Sequence, residues 1–152
     1  MPEIMRAALL LAVFFASVFE LNAVCLRYID SSKESVAALQ QVQDRSEALR
    51  NLAFTDLTTR SYLQALLSSP ANASEFAKTK STEVVKIRAY PTANGVTQFT
   101  RWPNGTVTTD STATGLGTTL VQVEVAVSWT MTLGHRARSE QVTSIISNVT
   151  KR

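Results

Sequence analysis

Cysteine and histidine are almost absent from the chain, which contains one of each, Cys25 and His135. A lone cysteine forms no disulfide within its own chain, and one thiol with one imidazole does not make a metal-ligand set. A nucleophilic triad needs a base beside the nucleophile, and His135 stands next to a glycine in an expected turn. We therefore predict that the protein is not an enzyme and needs neither a metal nor a cofactor.

Proline and glycine are absent from residues 3–69, so neither of the two strongest helix breakers interrupts this stretch. Within it, Ala7–Leu26 is an apolar run of 20 residues whose single charge is Glu20. As a helix this run is roughly 30 Å long, about the thickness of the hydrocarbon core of a bilayer. We predict a continuous helix whose first part, residues 1–27, spans a membrane, with Cys25 packed or facing lipid.

Beyond Arg27 the helix becomes amphipathic, and we predict that residues 28–54 continue it into water. Apolar residues recur there at spacings of three, four or seven, and we expect them to pack on a globular domain: Ile29, Val36, Leu39, Val42, Leu49 and Leu52. The other face is expected to be solvated and to carry charged and amide side chains: Lys33, Glu34, Gln40, Gln43, Asp44, Glu47 and Arg50.

Residues 55–82 are predicted to connect this helix to a β domain at residues 83–152. The connection begins with a short helix around residues 62–67 and continues as a polar loop with a helical turn near residues 75–78. From Glu83 onward apolar residues recur at every second position, which is the period of half-buried strands. The fold class is therefore α+β, with the long N-terminal helix packed on a C-terminal antiparallel sheet.

Four strands are expected in the β domain. The first starts at Glu83, and the other three cover Val96–Trp102, Leu120–Leu133 and Arg138–Val149. A tight hairpin is expected at Trp102–Val107. The strand from Leu120 has the clearest alternation, and its buried face should consist of Val121, Val123, Val125, Val127, Trp129, Met131 and Leu133. We expect this face to contact the helix residues Val36, Leu39, Val42 and Leu49. Trp102 and Trp129 are interpreted as packing residues rather than ligand-stacking ones.

The chain starts with Met1-Pro-Glu-Ile-Met5, and Ala7-Ala-Leu-Leu10 and further apolar residues follow. This pattern resembles the N-terminus of type IV pilins and pseudopilins, whose mature subunits place Phe-Thr-Leu-Pro/Ile/Val-Glu before an apolar helix. Glu3 corresponds to the glutamate of that family and Met1 to its leucine. The hairpin Val-Ser-Trp-Thr-Met-Thr-Leu-Gly-His-Arg, residues 127–136, also resembles the last hairpin of minor pilins.

The resemblance implies a membrane-anchored structural subunit, a minor pilin or pseudopilin of a type IV pilus or type II secretion apparatus. Its helix would cross the inner membrane once, with the C-terminal domain in the periplasm or outside, and would pack with other pilin-like subunits. The carboxylate of Glu3 would pair with the N-terminal ammonium of a neighbour. The family also has a basic leader that is cut by a prepilin peptidase, so we expect an in-frame extension upstream of Met1.

A cleavable secretory signal is the alternative interpretation, with Ala7–Phe19 as its apolar region and Leu21-Asn-Ala23 before the cleavage point. The protein would then be a secreted or signal-anchored β-rich binding module, and its polar loops at residues 70–81 and 110–119 would form the contact surface.

Glycosylation and nucleic-acid binding find little support in the sequence. Sequons occur at Asn72, Asn104 and Asn148, but they matter only in a secretory host that modifies them. The net charge is +3, and the basic residues are scattered singly rather than grouped in a patch. We therefore expect no nucleic-acid partner.

Overall fold

The computed structural model describes residues 2–117 and 119–148, and it begins with one long helix, α1, over Pro2–Arg50. All described residues up to residue 30 are exposed, whereas buried positions recur between Ser31 and Leu49. The basic residue Arg50 lies in the last turn, where the helix dipole favours a cation. α1 therefore has a projecting half and a packed half.

Two short helices and one π-helical turn connect α1 to the sheet. Helix α2 covers Phe54–Thr58, helix α3 covers Arg60–Ser68, and the π-helical turn covers Phe76–Lys80. Leu63 and Leu67 of α3 are one helical turn apart, and both are buried. These apolar contacts hold the connection against the β domain.

Five strands form one antiparallel sheet in the spatial order β3-β2-β1-β4-β5. They are β1 Thr82–Ala89, β2 Thr97–Arg101, β3 Val107–Ser111, β4 Leu120–Thr130 and β5 Ala137–Ser147. Helix α1 packs over β4 and β5, and helix α3 packs over β2 and β3. This arrangement confirms the predicted α+β fold, in which a long N-terminal helix packs on an antiparallel sheet. The predicted end of the last strand, Val149, lies outside the described residues.

Strand β4 has the buried face that its alternation predicts. Val127 is fully buried, and the other members of this face are at most 5% exposed: Val121, Val123, Val125 and Trp129. The strand ends at Thr130, so Met131 and Leu133 belong to the following turn instead. The turn is closed by Met131 N–H donating to the carbonyl of Arg136 at 2.9 Å.

The predicted packing face of α1 is wrong in its first half. Ile29, Val36 and Leu39 are 50%, 56% and 45% exposed, whereas Val42 and Leu49 are buried as expected. At about 100° per residue, the side that contacts the sheet is roughly half a turn away from Ile29 and Val36. Its buried residues are Ser31, Glu34, Ala38, Gln41, Val42, Arg45, Ser46 and Leu49.

Small and paired polar side chains explain this orientation. Ala38 and Ser46 allow the helix to approach the sheet closely, and the Oγ atoms of Ser46 and Ser144 are 3.5 Å apart. Glu34 and Arg45 are charged, but both find partners on other elements, so burying them does not leave an isolated charge. The assignment of Glu34 to the solvated face is therefore also corrected.

Candidate membrane-anchoring and assembly site

The projecting half of α1 exposes a continuous apolar surface. From Ile4 to Leu26 the large apolar side chains are between 37% and 74% exposed. Among the described residues, α1 is the one helix long and apolar enough to cross a membrane, with a mean hydropathy of 2.2 over 18 residues, none of them buried. A signal sequence near an N-terminus can have the same length and apolar composition.

Glu3 lies in the first turn of α1, at the exposed end of this surface. Within residues 2–117 and 119–148, Glu3 has no hydrogen-bond or ion-pair partner. A carboxylate in the first turn of a helix interacts favourably with the helix dipole. In apolar surroundings that interaction does not replace a counter-charge, so an embedded Glu3 needs a cationic partner.

A second apolar surface continues along α1 on the side that faces away from the sheet. It consists of Ile29, Val36 and Leu39, which are about half exposed. An open groove of about 470 Å³ follows this side, and Tyr28 and Ala37 also line it. The apolar surface of the helix therefore extends beyond Leu26 into the half that carries the β domain.

A buried ion pair fastens the packed half of α1 to the sheet. Arg45 Nε donates to Glu83 Oε1 at 2.5 Å, its Nη2 donates to Oε2 at 3.3 Å, and the two side chains are 2% and 0% exposed. Gln41 donates to the same carboxylate at 3.5 Å and accepts from the hydroxyl of Ser81 at 2.8 Å. A buried carboxylate is tolerated when it is paired and hydrogen-bonded in this way.

The Arg45 guanidinium also caps the end of α3. It donates to the carbonyl of Leu66 at 3.3 Å and to the carbonyl of Ser69 at 2.7 Å. Carbonyls at the end of a helix lack intrahelical partners, and a cation there complements the helix dipole. One side chain therefore joins α1, α3 and β1.

Arg101 is a second buried cation beside Glu83. It is 3% exposed and pairs with Glu83 in the register of β1 and β2. Its Nη1 donates to the carbonyl of Ala77 at 2.9 Å, and its Nε has no hydrogen-bond partner within the described part of the chain. Burial lowers the pKa of Arg101, Glu83 opposes that effect, and Arg45 adds to it. Two buried arginines therefore depend on one carboxylate.

Glu34 forms a separate attachment between α1 and the turn that follows β4. Its carboxylate accepts hydrogen bonds from the Thr132 hydroxyl and, at 3.0 Å, from the Thr132 N–H. Lys80 Nζ lies 3.3 Å from Glu34 Oε1. Burial opposes ionisation of Glu34, but the hydrogen bonds from Thr132 and the Lys80 ammonium outweigh it, so its pKa lies below the ordinary value.

Acid is expected to weaken the Glu34 attachment. Because its pKa is lowered on folding, the stabilisation is fully present above the unfolded value of about 4.3 and is lost as the pH falls through the lower folded value. We expect the free energy of unfolding of the parent protein to exceed that of Glu34→Gln most near pH 6, and the difference to shrink below about pH 4. Urea denaturation across pH 3–6 measures it, and a pH-independent difference would contradict this account.

The sequence contained a signal for part of this network. In a strand, every second residue points to the same face of the sheet. Glu83 therefore points to the same face of β1 as Val85 and Ile87, which are fully buried, and the alternation places it on the inner face. In β2, Arg101 points to the same face as Phe99. The charge of both residues nevertheless favours a solvated position, because a charged residue at the end of a strand is more often exposed.

The other candidate residues do not assemble into a site. Cys25 is exposed on the projecting helix, and His135 is exposed in the turn after β4 with a positive φ of 49°. Trp129 is buried against Phe76, with ring centroids 5.7 Å apart, as its packing role predicts. Trp102 is 45% exposed, and its indole N–H donates to Thr108 Oγ1 at 3.3 Å.

Two of the sequon asparagines have local structural roles. Asn72 Nδ2 donates to Asp44 at 2.8 Å, and Asn104 Oδ1 accepts from the N–H of Thr106 at 3.0 Å. The sequon at Asn148 extends into Val149 and Thr150, which lie outside the described residues.

Among the residues that the structure describes, no group of three or more His, Cys, Asp or Glu side chains is arranged to hold a metal ion. No protein-family model, curated protein or solved structure matches the chain. The two exposed apolar surfaces of α1 and their position relative to the sheet are therefore the features that bear on function.

Proposed function

We propose that the protein is a membrane-anchored, pilin-like structural subunit, a minor pilin or pseudopilin of a type IV pilus or type II secretion apparatus. The observation that carries this proposal is the division of α1, which leaves residues 2–30 exposed and packs residues 31–49 on an antiparallel sheet. A helix of this kind fits a protein that holds a soluble domain at a membrane and later exchanges lipid for neighbouring helices. In this proposal the helix crosses the inner membrane once, and the β domain lies on its outer side.

The apolar surface beyond Leu26 supports assembly in addition to anchoring. A helix that served as a membrane anchor alone has no need of exposed Ile29, Val36 and Leu39 after the membrane-spanning run. Neighbouring helices of other pilin-like subunits would cover these side chains and the apolar run together. Glu3 would meet the N-terminal ammonium of a neighbour, which provides the counter-charge that its surroundings require.

Substitution of Glu3 tests the proposal. Glu3→Leu is expected to leave membrane fractionation and folding unchanged, since it makes the helix more apolar, and to lower incorporation into assembled filaments by about tenfold or more, the effect of losing about 1.4 kcal/mol. The amount of tagged subunit in filaments purified from the host measures this. Glu75→Leu is the control, because Glu75 is also exposed but lies outside α1, in the connection before the sheet.

Two results would contradict the proposal. Normal incorporation of Glu3→Leu would remove the role of the carboxylate in assembly. Recovery of the native protein as a soluble form that starts near Val24 would instead favour the secreted β-rich binding module, because the projecting helix would then be a cleaved signal.

A further inference from the structure

A cleft lies between α1 and the turn after β4, immediately beyond the membrane-spanning run. We call it the turn cleft, and its volume is about 450 Å³. Tyr28, Ser31 and Ser32 line it on the helix side. The bonds from Thr132 to Glu34 hold the turn against the helix and so keep the cleft formed.

The position of the turn cleft places it at the level of phospholipid head groups. Tyr28 and Ser31 follow Leu26 by two and five residues, which is about 3 Å and 7.5 Å along a helix. The head-group layer of a bilayer is roughly 5–7 Å thick on each side of the hydrocarbon core. If Leu26 ends the hydrocarbon span, Tyr28 lies within this layer, where tyrosine is a common residue, and Ser31 lies at the outer edge of the layer.

Cationic groups line the cleft on one side, and hydroxyl groups line it on the other. Arg136 and Arg138 come from the turn and from the start of β5, opposite the hydroxyls of Ser31 and Ser32. Within the described part of the chain the Arg136 side chain has no hydrogen-bond or ion-pair partner, and Arg138 uses only its Nε, at 3.3 Å from Met131 Sδ. These groups therefore keep donors available for an anion.

Within the described residues, neither Arg136 nor Arg138 forms an ion pair with Asp30, with Glu34 or with Glu140, which follows Arg138 by two residues in β5. The Asp30 carboxylate lies 3.7 Å from the ammonium of Lys33. Glu34 is engaged with Thr132 and Lys80. The cleft consequently keeps an uncompensated positive charge beside a set of hydroxyl groups, which is the donor chemistry that recognises a phosphate.

We propose that the turn cleft binds the phosphate of an anionic phospholipid head group. The inference rests on the proposed insertion of α1 in a bilayer, because that insertion supplies the lipid at this level. Arg136 and Arg138 provide charge-assisted hydrogen bonds to the phosphate oxygens, and the serine hydroxyls on α1 contact the head group from the other side. A bound lipid would then fix the β domain at a defined height and orientation above the membrane.

Titration of phosphatidylglycerol into the full chain in neutral detergent micelles tests the proposal. Native mass spectrometry counts the lipids retained, and NMR follows the amides of Ser31, Ser32 and Arg136. We expect one retained phosphatidylglycerol per chain, with saturable shifts at these amides, and about tenfold weaker binding in Arg136→Gln. Arg60→Gln is the matched control, since Arg60 is likewise exposed and without a side-chain partner among the described residues, and it should bind like the parent.

Three outcomes would overturn the assignment. Equal binding by Arg136→Gln and Arg60→Gln would show that the lipid associates with the apolar helix alone. Retention of phosphatidylcholine as strong as that of phosphatidylglycerol would remove the selectivity for an anionic head group. Inorganic phosphate that shifts the same amides and displaces the lipid at millimolar concentration would make the cleft a site for free phosphate.

The lipid titration does not depend on the assembly of subunits into filaments. Micelles hold the helix without a bilayer or neighbouring subunits, so specific binding to the turn cleft is measured even if filament incorporation fails. Conversely, a chain that fractionates with membranes but shows no saturable shifts at the cleft would retain the anchoring proposal and lose the lipid site.

Discussion

Replacing Glu83 with alanine is expected to lower the free energy of unfolding by about 3–5 kcal/mol. The substitution leaves the guanidinium groups of Arg45 and Arg101 buried with no carboxylate between them, and these side chains are only 2% and 3% exposed. Such charges keep their desolvation penalty and lose the interaction that offset it. Urea denaturation of the full chain in mild detergent, followed by circular dichroism, measures the change.

The matched control is Glu124→Ala on the opposite face of the same sheet. Glu124 lies 2.9 Å from the ammonium of Lys86 and 3.8 Å from the guanidinium of Arg88, so this substitution also removes ion pairs, but the Lys86 and Arg88 side chains are 39% and 38% exposed. A partly hydrated pair of this kind contributes up to about 1 kcal/mol. If Glu83→Ala and Glu124→Ala destabilised the protein equally, burial of the arginine network would not determine its energetics.

Glu83→Ala should also destabilise some parts of the protein more than others. Arg45 joins α1, α3 and β1, and Arg101 contacts the carbonyl of Ala77 in the π-helical turn. Loss of the shared carboxylate therefore loosens the attachment of the whole connecting region. Hydrogen exchange in α3 should rise more than exchange in β5, which has no part in the network.

Four of the five strands were predictable, and β4 most simply. β3, over Val107–Ser111, was missed, and its end was wrongly assigned to the polar loop at residues 110–119, because every residue after Val107 in this strand is polar and no apolar alternation marks it. In β4 every second residue is Val or Trp and the intervening side chains are small or polar, so only one face can be buried. The length and the continuity of α1 were also predictable, since no proline or glycine occurs in it after Pro2. These features are local, and neighbouring residues alone determine them.

The orientation of α1 on the sheet was not predictable in the same way. Apolar residues occur on both sides of its packed half, and the hydrophobic side chains at Ile29 and Val36 suggested the wrong face. The face that packs contains Glu34 and Arg45, whose burial depends on partners 98 and 38 residues away. A pattern within one helix carries no information about such long-range pairs.

The candidate assembly site was predictable only in part. The sequence alone identifies the apolar run and places Glu3 at its end. The structure adds that the run is uncovered within the described residues and that its apolar surface continues past Leu26 to Leu39. The turn cleft could not be predicted from the sequence, because it forms only where Tyr28 and Ser31 meet the turn after β4.

Val127→Asp is expected to lower the free energy of unfolding by several kcal/mol, since it places a charge at a fully buried position. Its cross-strand neighbours increase the penalty. Val127 pairs with Glu83 of β1 on one side and with Glu140 of β5 on the other, so the new carboxylate lies between two others. Like charges placed opposite each other in a sheet repel, and the added repulsion acts on the carboxylate that Arg45 and Arg101 share.

Ser128→Asp is the control for Val127→Asp, because it introduces the same side chain one position along the same strand. Ser128 is exposed on the outer face, and its neighbours in the register are Thr82 and Ser139, neither of which is charged. We expect this variant to change the free energy of unfolding by less than about 1 kcal/mol. Urea denaturation of both variants in the same detergent provides the comparison. Equal losses would show that the inner face of β4 is not the face that packs beneath α1, and the assignment of the buried network would fall with it.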